Sequence, residues 1–168
     1  GDGNFDIQKV YAFLLEDNDD KFWNGEMTIT HLGSLGGHPH TAATDINKHG
    51  QITGESDSPQ RDHGRHAFLW QDGTMTDLGT LGRDTESRPT AISDNGMVVG
   101  QSTDRPFVTA YDAFLWQDGH MIELGKELPR NSDWTLRWAW GVNDDAQVVG
   151  MGEAPYTSEH KDWRGYLL

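Results

Sequence analysis

Ala67-Phe68-Leu69-Trp70-Gln71-Asp72-Gly73 returns letter for letter as Ala113-Phe114-Leu115-Trp116-Gln117-Asp118-Gly119. Fainter copies flank the pair, Ala12-Phe13-Leu14-Leu15 upstream and Gly165-Tyr166-Leu167-Leu168 downstream. Self-similarity at a fixed period decides architecture before any local reading does. Three further stretches travel with this one. The first follows a turn and ends in Leu-Gly: Met27–Gly33, Met75–Gly79 and Met121–Gly125. The next is Thr41–Asn47, Thr90–Ser93 and Trp138–Asn143, and the last is Gln51–Gly54, Met97–Gly100 and Gln147–Gly150. The Leu-Gly pairs fall 46 residues apart, whereas the Ala-Phe stretches lie 55, 46 and 52 apart, so the variation in length sits in loops.

Each stretch is short, rich in β-branched and aromatic residues, and bounded by turn formers, which predicts strands. Asp72-Gly73 and Asp118-Gly119 predict tight hairpins, because glycine accepts a positive φ without steric cost. Gly50 and Gly96 predict the same between the third and fourth stretches. In the last copy Ala146 replaces that glycine, so Asp144 or Asp145 is expected to take any left-handed position. No helical stripe exceeds about two turns. Four short antiparallel strands in a repeat of this length predict an all-β chain of propeller-like blades, with an open solenoid or sandwich as the alternative. The chain reads as a single repeat domain over 1–168, with repeats at 11–65, 66–112 and 113–164 and a partial copy at 165–168.

Grouping the stretches in the order third, fourth, first, second gives complete blades at Thr41–Gly79 and Thr90–Gly125. A third blade at Trp138–Leu168 lacks its last strand, and Tyr11–Leu15 with Met27–Gly33 is half a blade left over. Three blades are too few for an ordinary closed propeller. The chain is therefore expected to belong to a longer propeller, to assemble with copies of itself through its ends, or to close in some compact way the repeat does not dictate. The first two are favoured, because an apolar unpaired edge is a template for association.

Composition fits this architecture. Of 168 residues, 35% are apolar and 10% aromatic, with 20 glycines, a mix suited to many tight turns. The formal charge of −14 opposes nucleic-acid phosphates and anionic membranes, so neither nucleic-acid binding nor membrane insertion is expected. No run of 18 apolar residues is present. The absence of cysteine excludes disulfides and thiolate metal sites. The opening Gly1-Asp2-Gly3-Asn4 reads as a processed start without a signal peptide.

These words resemble the HAF repeat, an extracellular repeat of bacterial proteins named for a His-Ala-Phe triplet. His66-Ala67-Phe68 supplies the triplet, and Asp77-Leu78-Gly79-Thr80-Leu81-Gly82 supplies the following phrase, with Arg83 in place of its last glycine. Leu32-Gly33-Ser34-Leu35-Gly36-Gly37 keeps both glycines, and Ala43-Thr44-Asp45-Ile46-Asn47 leads to Gly50 and Gly54. Asp112 stands where the third triplet would carry His, and Lys126-Glu127 breaks the glycine pattern. The resemblance covers nearly all of the chain after residue 10. It implies a secreted or surface-exposed bacterial protein with a non-catalytic repeat, and it transfers no catalytic residue. The strand order is also similar to that of Kelch repeats.

Candidate sites are few. Asp17, Asp19 and Asp20, with Asn18, form an acidic loop that could gather Ca²⁺, a cation needing six to eight oxygens, although no EF-hand spacing is present. A solvated hairpin loop explains the same residues. His38 and His40, near Asp62, His63 and His66, could hold a transition metal or simply line loops. Trp134, Trp138 and Trp140 crowd one segment around Arg137. Together with Trp163 they could stack on a glycan, or they could fill the space between blades. Trp138 and Trp140 share strand parity and are expected on one side of the sheet. No G-x-S-x-G elbow, Walker loop or H-E-x-x-H is present. The reading is a non-catalytic extracellular module that presents loops for binding or assembly and needs no cofactor. Its alternatives are a lectin-like glycan binder and a fragment or subunit of a larger propeller enzyme.

Overall fold

The computed structural model describes residues 10–17, 27–36, 40–58, 64–82, 84–104, 111–154 and 162–168. They form four antiparallel sheets. Sheet I pairs β1 (Phe13–Asp17) with β2 (Met27–His31). Sheet II is the meander β3 (Thr41–Ile46), β4 (Ile52–Asp57), β5 (Arg65–Gln71) and β6 (Thr74–Gly79). Sheet III repeats it with β7 (Glu86–Ile92), β8 (Val98–Thr103), β9 (Asp112–Gln117) and β10 (His120–Glu123). Sheet IV has β11 (Thr135–Val142), β12 (Val148–Glu153) and β13 (Trp163–Leu167). The two-, four-, four- and three-stranded grouping is the one the repeat order predicts. Among the described residues the buried apolar clusters join sheet I to II, II to III and III to IV, and none joins sheet IV to sheet I, so the sheets form a series.

The turns follow from their residues. Asp72 and Gly73 have φ of 49° and 82°, and Asp118 and Gly119 have 51° and 83°. Two successive positive φ values make the hairpin turn whose twist matches the strands it joins. At the turn between β11 and β12 the expectation fails: Ala146 itself takes φ 59°, not Asp144 or Asp145. The reason lies in the asparagine that frames the turn. Asn143 Oδ1 accepts from the Asp145 and Gln147 amides, and the Ala146 amide donates to the Asn143 carbonyl. Asn47 frames the Gly50 turn in the same way, through the His49 and Gln51 amides. The frame fixes which position is left-handed, and the residue there must comply.

Sheets II, III and IV each carry a bulge at the same place on their first strand, between Ala43 and Asp45, Pro89 and Ala91, and Ala139 and Gly141. An extra residue there bends and twists the strand. Next to it, glycine makes room for an aromatic ring. Gly54 pairs with Phe68, Gly100 with Phe114 and Gly150 with Tyr166. A Cβ on Gly54 would stand 2.7 Å from the tip of the Phe68 ring, and one on Gly150 would stand 2.5 Å from the Tyr166 hydroxyl.

The core lies between successive sheets. Ala12 and Leu32 of the N-terminal segment meet Ile52, Phe68 and Trp70 of sheet II. Ala67 and Leu78 meet Ile92, Val98 and Phe114 of sheet III, and Val99, Ala113 and Leu124 meet Leu136, Ala139 and Val148 of sheet IV. The alanine and leucine in each set are the same repeat positions, so one interface is used three times. Hydrogen bonds hold the sheets in register. Ser87 Oγ accepts from the Ala67 amide at 2.8 Å and donates to the Gly79 carbonyl at 2.5 Å. Asn47 Nδ2 donates to the Ser93 carbonyl, and the Asn95 amide donates to Asp144 Oδ1.

Candidate functional site

The tryptophan segment is divided by the fold. Trp134 packs against the core between sheets III and IV. Trp138 lies half-buried, its ring 6.1 Å from Tyr111 and 5.0 Å from Trp163, both tilted. Trp163 is exposed and begins the edge strand β13. Trp140 is exposed and sits inside the bulge between Ala139 and Gly141, which interrupts the alternation that would have put it on one side with Trp138. Structure therefore joins Trp138 and Trp163 with Tyr111, a residue the sequence did not single out, and leaves Trp134 half-buried against the core.

Arg137 lies beside this row and is committed to ion pairing. Its Nε donates to Glu153 Oε1 at 3.1 Å, and its NH1 donates to the Tyr111 carbonyl at 3.1 Å and to Asp112 Oδ1 at 3.2 Å. The Tyr166 hydroxyl donates to the Trp138 carbonyl at 2.8 Å, and burial pushes that phenol well above its ordinary value.

Of the metal candidates only Asp17, His40 and His66 fall among the described residues. Asp17 ends β1, and His40 makes a parallel bridge with Val10. Asp19, Asp20 and His38 lie outside the described residues, as do Asp62 and His63. Among the described residues no three histidine or carboxylate side chains are grouped to hold an ion.

A different cluster was missed by the sequence reading. A cavity of about 520 Å³ is lined by Leu81, Asp84, Asp112, Met121, Glu123, Lys126 and Glu127, among others. Its charge comes from a swap of residue type within the repeat. In sheet II, His66 is buried and its Nδ1 lies 3.0 Å from each Asp77 oxygen. In sheet III the same two positions carry Asp112 and Glu123, so an imidazole–carboxylate pair becomes two carboxylates. Burial raises the Asp112 carboxyl above its ordinary value and the Glu123 charge adds to that, opposed by Arg137 and Lys126. Asp84 is raised by burial and by the charges of Asp112, Asp104 and Glu123. Arg137 from sheet IV and Lys126, 2.6 Å from Glu123, supply the counter-charge. The signal was present in Asp112 replacing the triplet histidine. Its consequence needed the register that pairs Phe114 with Glu123 as Phe68 pairs with Asp77.

The ends of the series are the other distinctive surface. Phe68 and Phe114 are 0% exposed, whereas Phe13, the same repeat position in sheet I, is 57% exposed. Val99 is 0% exposed and its counterpart Val149 in sheet IV is 47% exposed. Ile29, Leu167 and Leu168 are exposed as well. β1 and β13 each have one edge without a partner strand among the described residues.

Comparison with protein-family models, with curated proteins and with solved structures found no match to this chain.

Proposed function

We propose that this chain is a run of propeller-type blades of the HAF-repeat kind, part of a secreted or surface protein, acting as a non-catalytic scaffold for binding and assembly. Its working surfaces are its two ends, which take further blades from a second copy or from a longer polypeptide. One observation carries the reading: a phenylalanine fully buried in both complete sheets is more than half exposed in the two-stranded one. An apolar side chain left in water at a position the repeat otherwise buries marks a surface built to be covered. Light scattering over a range of concentrations tests this, using the wild-type chain, Phe13→Asp and Val149→Asp. Mass should rise with concentration for the wild type and fall back for both variants. A mass indifferent to concentration and to both substitutions would count against it.

A second reading has an observation of its own. Tyr111, Trp138 and Trp163 form a continuous aromatic row with one exposed member, the kind of surface on which sugar rings stack. Binding on a glycan array that is lost in Trp163→Ala, with melting unchanged, would support it. No glycan bound by the wild type would retire it.

A further inference from the structure

The N-terminal hairpin and β13 are two claimants for one place. Ala12-Phe13-Leu14-Leu15 and Gly165-Tyr166-Leu167-Leu168 are copies of the same repeat strand. In sheets II and III that strand pairs on one side with the Gly54 or Gly100 strand and on the other with a Leu-Gly strand. Among the described residues β1 pairs with the second kind of neighbour and not the first. Among the same residues β13 pairs with the first kind, through Gly150, and not the second. Each is half of a complete arrangement, and the missing halves match.

β13 is also weakly seated. Of its five residues only Tyr166 is even half-buried. That ring fills the space over Gly150 that Phe68 fills over Gly54. Phe13 has the same ring and is exposed where it now stands.

We infer that the β1–β2 hairpin of one copy displaces β13 from sheet IV of a second copy, so that β11, β12, β1 and β2 form a complete four-stranded sheet across two chains. This rests on the blade reading above. In the exchanged sheet Phe13 lies over Gly150, Leu14 opposite Val149 and Leu15 opposite Val148, the register held now by Tyr166, Leu167 and Leu168. The back of that sheet meets sheet III of one chain, as sheet IV already does. Its front keeps Ala12 and Leu32 on sheet II of the other chain, as sheet I already does. The interface between sheets I and II is kept, and at the interface between sheets III and IV Phe13 takes the place of Tyr166. Each chain then contributes three complete sheets, and two reciprocal exchanges give six, inside the four-to-eight range in which propellers close. The same exchange within one chain would give three, below that range, so the partner is a second copy.

The chain has no cysteine, so an engineered pair reports cleanly. Val149 and Leu167 lie opposite each other next to the hydrogen-bonded pair Val148–Leu168, at a non-hydrogen-bonded position where Cβ atoms approach closely. Exchange places Leu14 there. In Leu14→Cys/Val149→Cys, mild oxidation should therefore link two chains into a species of twice the mass on a non-reducing gel. In the same experiment Tyr166→Ala, which loosens the displaced strand, should raise the linked fraction several-fold, and Phe13→Asp, whose side chain is exposed in the isolated chain, should abolish it. Association without this disulfide overturns the exchange and leaves the end-pairing reading standing. A disulfide confined to one chain overturns it in favour of self-closure. A monomer by scattering at all concentrations overturns both.

Discussion

The Tyr166 ring packs over the Cα of Gly150 while its hydroxyl holds the Trp138 carbonyl at 2.8 Å, so one residue spans the sheet from its edge strand to its first strand. A side chain at position 150 would meet both the Trp138 carbonyl oxygen and that ring. Gly150→Ala is expected to cost about 1–3 kcal/mol of unfolding free energy in urea titration, the usual range for overpacking. Gly125→Ala is the control, because nothing lies within 4 Å of a Cβ there and its φ is not positive. Equal effects of the two would show that the ring does not seat as described.

Ala146 occupies a left-handed position that glycine fills in the other two copies. A Cβ in that region costs roughly 1–2 kcal/mol, partly offset by the greater freedom glycine has when unfolded. Ala146→Gly should therefore stabilise the chain by about 1 kcal/mol, and Gly50→Ala should destabilise it by about as much. A destabilising Ala146→Gly would mean that the turn is not framed by Asn143.

The acid side of the stability profile has two opposing contributions. Burial alone would raise the Asp77 carboxyl, but the His66 hydrogen bond, the Gly79 amide and the His66 charge outweigh it and hold the carboxyl below its ordinary 3.8. That contribution is complete above the unfolded value and is lost as pH falls through the lower folded one. Asp84 and Asp112 are raised, so the folded state takes up their protons first and stability increases as pH drops toward 3.8. These two carboxyls should add to the melting temperature as pH falls toward about 4, and the Asp77 contribution should be lost below it. Asp112→Asn should flatten the climb and Asp77→Asn should soften the fall. An unchanged acid limb in Asp77→Asn would contradict the pairing.

Arg137 is the cation shared by Glu153 of its own sheet and Asp112 of the preceding one, and its side chain is mostly buried. Arg137→Ala leaves both carboxylates without it, beside Glu123. A loss of about 2–4 kcal/mol is expected, most of it from the largely buried Arg137–Glu153 pair, since Asp112 is nearly half exposed. Asp112→His restores an imidazole opposite a carboxylate, as at His66 and Asp77, and should recover part of that loss in a double-mutant cycle. Strict additivity of the two substitutions would show that they do not share a site.

Strand grouping was legible because turn residues and hydrophobic words recur together: Asp72-Gly73 and Asp118-Gly119 fixed two hairpins, and the Leu-Gly spacing fixed which strands lie side by side. Failures came where a neighbouring element decides. Ala146 is left-handed because Asn143 ties the turn, and no propensity of alanine announces that. Trp138 and Trp140 part company because a bulge lies between them, and a bulge is invisible to an alternation rule. The carboxylates of Asp112 and Glu123 meet only through the pairing of β9 with β10. What covers the last sheet is a further step, since local patterns specify only each sheet and its neighbour.

One interface recurs between successive sheets, and its phenylalanine position is buried in sheets II and III and exposed in sheet I. Unfolding free energies of Phe13→Ala, Phe68→Ala and Phe114→Ala, measured at a dilution where the chain is monomeric, test this most directly. Phe68→Ala and Phe114→Ala should each lose about 3–5 kcal/mol, and Phe13→Ala less than about 1 kcal/mol. Losses of the same size at all three positions would mean that Phe13 is already covered, and the open-ended series would be wrong.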